Sequence, residues 1–338
     1  MNIQEDVSLK PFNTFGIEVS AKFFIEVKTE NELIELCKSN FLSGKQHLVL
    51  GSGSNILFTK NFDGVVIKNS IEGIQFKKSG KLIRVIAGGG TNWHNLVIKS
   101  LENGANGLEN LSLIPGTVGA APVQNIGAYG LELKNVFEQL RAVDIATGKV
   151  KQFTKAQCSF KYRSSVFKEE LKGKYVITEV TLDLHNTAEV NTNYAPIRIA
   201  LEKKGIEKPT SKDVADVVME IRNSKLPDPT KIGNAGSFFK NPLIPKVDYK
   251  ELQFKFNGMP AFPQAAHNKV KIPAAWLIEH AGWKGKRIEN IGVSETQALV
   301  LVNYGKGTGR DLKDLSKEIQ ASVFKKYKIK LEVEVNIL

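Results

Sequence analysis

The chain has 338 residues, room for two or three domains, and its 42% hydrophobic and 24% charged content excludes a disordered or fibrous protein. A formal charge of +12 raises the question of nucleic acid, but the Lys and Arg residues are scattered and no aromatic-interleaved recognition motif accompanies them, so a basic cleft for a small phosphorylated ligand accounts for the charge instead. No apolar run reaches the roughly 18 residues of a membrane span, no basic-then-apolar leader is present, and two isolated cysteines, Cys37 and Cys158, exclude a disulfide framework, so the cytoplasm is the expected compartment.

The first segment alternates strand and helix. Lys22–Val27 reads as a strand; Thr29 and Glu32 form a capping box ahead of Leu33, Ile34, Leu36 and Cys37 at helical spacing. Gln46–Leu50 and Gly64–Ile67 are short buried strands. Beyond them, Gln75–Val85 predicts a hairpin, Gly88–Gly90 a turn, and Thr91 the cap of a helix carrying Trp93, Leu96, Val97 and Leu101, closed by Gly104. A second hairpin turns at Ala146–Lys149, and Tyr175–Leu184 alternates like a strand with one buried face. Val214, Val217, Val218 and Ile221 mark a helix stopped by Pro227 and Pro229, and a domain boundary falls nearby. Two further helices run through Trp276–Ile278 and Leu312–Val323, and the chain closes on a predicted strand, Leu331–Ile337. No internal repeat or low-complexity tract appears.

Several chemistries are excluded. Gly51-Ser52-Gly53-Ser54-Asn55-Ile56 begins like a dinucleotide fingerprint, but Ile56 stands where the third glycine is required. No P-loop and no nucleophile elbow occur. His47, His94, His185, His267 and His280 lack metal-ligand spacing, so no metal is expected.

Three loops stand out. Gly51–Asn55 leaves a buried strand and can turn its N–H groups together as a nest for phosphate oxygens, although a simple turn reads as well. Gly107–Gly130 runs without helix or strand periodicity, is apolar, built of small residues, and carries Glu109 as its one charge. Structureless stretches beyond about 12–15 residues are uncommon inside domains and usually functional. A flat apolar ring with a pyrophosphate tail fits such a surface. The third loop, Gly233–Pro242, sets Ser237 between a glycine turn and two aromatic residues.

Together with Leu9-Lys10-Pro11-Phe12-Asn13-Thr14-Phe15-Gly16, these loops resemble the UDP-N-acetylenolpyruvoylglucosamine reductase family over nearly the whole chain. The resemblance implies an α+β and α/β protein: an FAD-binding unit of the vanillyl-alcohol oxidase type, which uses no Rossmann fingerprint, followed by a C-terminal α/β substrate domain. The corresponding boundaries are 1–68 and 69–221 for two FAD-binding subdomains and 222–338 for the substrate domain. It implies a monomer with non-covalent FAD, NADPH as electron donor, and UDP-N-acetylglucosamine-enolpyruvate as substrate, with neither nucleic acid nor membrane as partner. Flavin contacts are expected from Gly51, Ser52, Gly53, Ser54, Asn55, Pro115, Gly116, Gly119, Ala120, Gln124, Asn125, Gly127 and Ala128.

The resemblance also implies site residues. Ser237 matches the serine that protonates the substrate, and Arg163 and Glu334 match the other catalytic positions. Tyr194, Lys225, Asn241 and Gln297 are expected around the uridine diphosphate, Tyr194 marking the subtype with an extra loop over the nucleotide; by charge alone, Arg222 and Lys225, at the C-terminal end of a helix and just past it, can also reach the anionic phosphates. Where the family commonly has Leu-Glu-Pro-Glu-Val-Arg, this chain has Val333 for proline and Asn336 for arginine; Ser294-Glu295-Thr296 precedes Gln297 without the usual histidine. Glu332 and Glu334 share one strand face by the period of two, so the residues alone leave either as the acid and only the alignment selects Glu334. Hydride addition to the enol ether leaves negative charge on the neighbouring carbon and carboxylate. Arg163 can meet that charge with a planar fork, and a protonated Glu334 can donate a hydrogen bond to it. Two other readings remain: an oxidase of the same fold, and a non-catalytic basic binding protein.

Overall fold

The computed structural model describes residues 2–264 and 268–338; His267 lies outside the described residues. The chain forms two compact units, the first from Met1–Val7, Ala21–Gly53 and Phe62–Asn223, the second from Ser8–Ser20, Ser54–Asn61 and Ser224–Leu338.

The first unit holds two sheets. One orders its strands Ile3–Ser8, Ser20–Val27, Phe62–Asn69 and His47–Leu50, the last three parallel. Parallel strands need a crossover, and α1 (Glu30–Lys38) supplies it between Ser20–Val27 and His47–Leu50, the two strands that flank Phe62–Asn69. Its predicted capping box is present, the Thr29 hydroxyl accepting from the Glu32 N–H at 3.2 Å while the Glu32 carboxylate accepts from the Thr29 N–H at 3.3 Å. Leu33, Leu36 and Cys37 then pack on Ile25, Val65 and Ile67.

The other sheet is antiparallel, in the order Val150–Thr154, Phe137–Asp144, Tyr175–His185, Leu82–Gly88 and Ile74–Ser79, and contains both predicted hairpins. Its middle strand, Tyr175–His185, was expected to bury one face; seven of its positions are buried because helices and loops cover both sides. Thr178 and Thr181 are buried with it, and the Thr178 hydroxyl donates to Glu30 at 2.7 Å.

Helix α2 (Trp93–Glu102) carries the expected apolar face, but its cap is Asn92 rather than Thr91: the Asn92 side chain accepts from the Asn95 N–H at 3.0 Å, while Thr91 is buried against the Gly73 carbonyl. A short α3 (Lys155–Cys158) follows the second hairpin. Helices α4 (Ala195–Lys203) and α5 (Ser211–Lys225) pair through Ile197, Leu201, Val214, Val217 and Val218.

The second unit contains two small antiparallel sheets, Leu243–Pro245 with Lys269–Lys271 and Phe262–Gln264, and Arg287–Ile288 with Ile291–Val293 and Leu301–Asn303. Its helices are α6 (Lys246–Lys255), α7 (Ala274–His280) and α8 (Gly309–Tyr327), the last opened by a capping box of Thr308 and Asp311. The N-terminal segment is knitted into this unit, Asn303 donating to the Phe15 carbonyl at 2.9 Å and the Asn234 N–H to the Thr14 carbonyl at 2.9 Å. The predicted closing strand is broken in two. Val333 bridges Phe239, and only Asn336–Ile337 forms a strand, parallel to Ile56–Leu57. One segment changes partner along its length, so its pairing is not continuous.

Candidate active site

In the first unit the strand His47–Leu50 ends at Gly51, where an added Cβ would lie 2.6 Å from the Thr117 hydroxyl. Two loops far apart in sequence therefore meet with only the Thr117 side chain between them. Beside the contact, the Ser52 hydroxyl is buried without a hydrogen-bond partner, and Gly53 has a positive φ of 65°. A buried hydroxyl lacking a partner costs stability unless a ligand satisfies it.

The long loop is anchored rather than structureless, which corrects the sequence reading. It contains two 3-10 turns, Glu109–Leu111 and Ala121–Gln124, and a two-residue strand, Gly127–Ala128. The Val118 N–H donates to the Thr91 carbonyl and the Gly119 N–H to the Gly89 carbonyl, at 2.9 and 2.8 Å. Pro115, Gly116 and Ala120 share this stretch, which lies so close to the neighbouring backbone that a Cβ at Gly119 would stand 2.9 Å from the Ile177 carbonyl oxygen. These features fit the tail of a flavin: glycine backbone, an unsatisfied Ser52 hydroxyl and few charges.

Two expected flavin contacts have other work. The Asn125 amide donates to Glu132 and to the Lys161 carbonyl, both at 3.1 Å, and its oxygen accepts from the Lys134 N–H, so the side chain is committed to the loop. The Gln124 oxygen accepts from Lys168 at 3.3 Å. Ser54 and Asn55 belong to the second unit, where Asn55 donates to the Glu334 carbonyl at 3.4 Å.

Arg163 sits at a positive φ of 53°, a conformation that costs energy for a non-glycine residue. It donates to the Gly127 carbonyl at 2.7 Å and lies 5.3 Å from the Tyr162 ring centroid. Gly127 is thus joined to the arginine although 36 residues separate them in sequence.

A second cluster in this unit gathers Tyr194, Arg222, Tyr129 and His94. The Tyr129 and Tyr194 rings meet edge to face at 5.3 Å, and the Tyr129 hydroxyl lies near enough to the Arg222 guanidinium to interact with it electrostatically. Burial pulls the Arg222 guanidinium below its usual value, with Tyr129 opposing the shift. No carboxylate among the described residues neutralises it, which suits an anionic ligand. Burial raises both tyrosine hydroxyls; Tyr194 is 39% exposed as a residue, so only its inner part is desolvated.

His94 accepts from the Leu113 N–H through Nδ1 at 3.1 Å, so the neutral ring is required there. Burial, then Arg222, lowers its pKa from 6.5. Because the folded value is depressed, this stability is fully present above pH 6.5 and is lost as pH falls through the folded value. The melting temperature of the wild type is expected to fall below pH 6.5, and His94→Gln to remove part of that slope; identical slopes in the two proteins would refute the assignment.

In the second unit Ser237 is exposed on a strand-like edge. It bridges Val300, and the next residue, Phe238, donates its N–H to the Leu299 carbonyl at 2.8 Å. Phe238 and Phe239 are buried, edge to face at 5.2 Å, and lock the backbone that presents the serine. On the other side the Glu334 N–H donates to the Phe238 carbonyl at 2.8 Å and the Lys240 N–H to the Glu332 carbonyl at 2.9 Å. Glu334 therefore lies across from Phe238, next to Ser237. Glu332 is ion-paired with Lys240 at 3.0 Å and its side chain is 74% exposed, whereas Glu334 is half-buried.

Among the expected nucleotide contacts, the Thr296 hydroxyl donates to the Lys225 carbonyl at 2.7 Å, which brings Lys225 beside Gln297. The Gln297 oxygen accepts from the Leu299 N–H at 3.4 Å. The Asn241 oxygen accepts from the Ala274 N–H at 2.9 Å and so serves the start of α7. The sequence reading missed Tyr129 and His94, since neither carries a motif and only folding brings them to Arg222. Among the described residues no group of His, Cys, Asp and Glu could hold a metal, and no helix is long and apolar enough to cross a membrane. Both cysteines are buried and free, burial raising them to about 11 at Cys37 and about 12 at Cys158.

Comparison with known proteins fits this architecture. The FAD binding domain family matches residues 21–154, and the family described as UDP-N-acetylenolpyruvoylglucosamine reductase, C-terminal domain, matches residues 228–338. Among solved structures, UDP-N-acetylenolpyruvylglucosamine reductase from Thermus caldophilus superposes with a TM-score of 0.68 at 21% identity, covering 100% of this chain and 99% of that one. A 6-hydroxy-D-nicotine oxidase from Arthrobacter nicotinovorans gives 0.55 at 12% identity, covering 96% and 85%. Those likenesses are of fold alone; the family matches define the class, an FAD-binding domain followed by a reductase C-terminal domain. UDP-N-acetylenolpyruvoylglucosamine reductases from Flavobacterium johnsoniae and Amoebophilus asiaticus are 46% and 47% identical, each over the whole of both chains. The chain belongs to the UDP-N-acetylenolpyruvoylglucosamine reductase family.

Proposed function

We infer that this chain reduces the enolpyruvyl double bond of UDP-N-acetylglucosamine-enolpyruvate to give UDP-N-acetylmuramate, a step of peptidoglycan precursor synthesis, with FAD as cofactor and NADPH as donor. The observation that carries the reading is the 46% identity to a reductase of this name over its full length. Residues 1–68 and 69–221 are assigned to the flavin and 222–338 to the substrate. The enzyme acts as a cytoplasmic monomer without nucleic acid or membrane.

Bound FAD supplies the hydride for the terminal carbon of the enol ether. The protein has three tasks: bind the sugar nucleotide, stabilise the charge that develops on the carboxylate, and deliver a proton to the adjacent carbon. The Gly51–Gly53 turn, the Ser52 hydroxyl and the Pro115–Gly119 stretch hold the cofactor. Arg163, fixed by the Gly127 carbonyl, takes the substrate carboxylate. Glu334 is the acid of its segment because it is partly desolvated, while Glu332 is exposed and paired with Lys240. Ser237 gives the proton. In the first unit Arg222, Tyr129 and Tyr194 are assigned to the sugar nucleotide's diphosphate and uridine, and in the second unit Lys225 and Gln297 are assigned to the same ligand. Donors fixed before reaction are worth several kcal/mol to a developing anion.

The test is anaerobic. The purified protein should carry yellow flavin, lose the colour with NADPH, and regain it on addition of UDP-N-acetylglucosamine-enolpyruvate with formation of UDP-N-acetylmuramate. Flavin that stays reduced until oxygen is admitted would replace this reading with an oxidase.

A further inference from the structure

The segment 186–193, which follows the strand Tyr175–His185 and leads to Tyr194, contains neither helix nor strand. On its far side Tyr194 is secured by α4: the Ile197 N–H donates to the Tyr194 carbonyl at 2.9 Å, and Ile197 and Leu201 are buried against α5. On its near side the segment is held by side-chain amides. Asn106 donates to the Thr187 carbonyl at 2.9 Å, and Asn191 donates to the Gly130 carbonyl at 3.2 Å. Asn110 donates to the Asn191 carbonyl and to the Tyr129 carbonyl, each at 2.9 Å.

Asn110 is therefore the one side chain here that grips both tyrosine-bearing segments. It is fully buried, and its amide nitrogen places one proton on each, while its oxygen has no partner. Only a group with two protons on one planar nitrogen bonds both carbonyls from this position; a hydroxyl supplies one proton and a carboxylate none. The two segments it joins end in rings that meet edge to face at 5.3 Å, and Tyr129 holds a positive φ of 49° that its surroundings must enforce.

We propose that Asn110 is a positioning residue for the sugar nucleotide: its two hydrogen bonds set the spacing of Tyr129 and Tyr194, and so the affinity of the site those rings form with Arg222. The inference rests on the function proposed above, and wild-type turnover of the sugar nucleotide separates a failure of that reading from a failure of this one. Asn110 touches neither Arg163 nor Ser237 in its hydrogen bonding, so it should affect binding more than chemistry.

The test compares Asn110→Leu and Asn110→Asp with the wild-type holoenzyme. Losing two hydrogen bonds that orient a ligand contact should raise KM for UDP-N-acetylglucosamine-enolpyruvate by about tenfold or more, with kcat and flavin reduction by NADPH within about twofold. In a Tyr194→Ala background the same substitutions should add less than about twofold, since contacts acting through one group are not additive. Because Asn110 is buried, Asn191→Ala is the second variant. Asn191 is only half-buried; its truncation removes the bond to the Gly130 carbonyl and the one it accepts from the Asn193 N–H, and should raise KM in the same way by about threefold or more with flavin content unchanged. An unchanged KM in Asn191→Ala together with folded Asn110 variants, or an undiminished effect in the Tyr194→Ala background, would overturn the assignment. If neither Asn110 variant folds, Asn191→Ala and its combination with Tyr194→Ala decide alone.

Discussion

Replacing Ser237 with alanine is expected to slow product formation by about 10²–10⁴-fold, the usual contribution of one positioned proton donor. The loss should fall on kcat and leave KM nearly unchanged, because the proton moves only in the transition state. Reduction of the flavin by NADPH should proceed at the wild-type rate, so the variant would bleach on reduction and then fail to recolour with substrate. Stability is not at risk. Ser237 is exposed, and its backbone is fixed by the buried Phe238 and Phe239 and by main-chain bonds to Leu299 and Glu334 rather than by its own hydroxyl. Ser237→Cys keeps a transferable proton at the same place and should recover part of the rate. Recolouring of the alanine variant at the wild-type rate would remove Ser237 from the mechanism and leave Glu334, one position along the neighbouring segment, as the proton source to test.

Much of the fold was legible because its signals are local. The capping box at Thr29 and Glu32 is a pattern of four residues, and the helix over Val214, Val217, Val218 and Ile221 shows a buried stripe. Where the reading failed, the deciding contact was distant. Asn92 rather than Thr91 caps α2 because Thr91 is drawn into the core near Gly73. Helix α6 has no buried residue at all, with Val247 63% and Phe254 94% exposed, so it has no apolar periodicity to detect. The break in Leu331–Ile337 depends on a change of partner that no periodicity reports.

The site divides in the same way. Ser237, Arg163 and the glycine turns lie in motifs and could be named beforehand. The preference for Glu334 over Glu332 came only from alignment; the structure adds a physical reason, since the Glu332 carboxylate is exposed and already engaged by Lys240 while Glu334 is half-buried. Tyr129 and His94 could not be connected with Arg222 by spacing, because the loop and helix that bear them reach it only through the tertiary fold. Asn125 shows the converse: it sits inside the expected flavin loop, yet its side chain holds the loop itself.

Gly119→Val should produce a protein that folds but retains little flavin. The Gly119 N–H donates to the Gly89 carbonyl at 2.8 Å, so the loop lies directly on the backbone at the end of the strand Leu82–Gly88. A Cβ there would stand 2.9 Å from the Ile177 carbonyl oxygen and 3.0 Å from that of Gly89. Both neighbours are main-chain atoms, one within the middle strand of the five-stranded sheet, and neither can rotate aside as a side chain would. The loop must lift instead, at about 1–3 kcal/mol for such overpacking. Lifting it carries Thr117 away from Gly51, which now stand so close that a Cβ on the glycine would be 2.6 Å from the threonine hydroxyl. The cofactor cradle proposed above rests on that approach, so flavin affinity should fall more than the sheet's own stability. Absorbance after gel filtration gives the flavin-to-protein ratio, and circular dichroism reports the fold. Gly104→Ala is the control: its φ of 69° makes the substitution strained, but nothing lies within 4 Å of the added carbon, so it should lower the melting temperature while leaving the protein yellow. A Gly119→Val protein with full flavin occupancy would mean that the cofactor does not depend on the contact between these two loops, and the assignment of Gly51, Ser52 and Gly116 to the flavin would have to be given up with it.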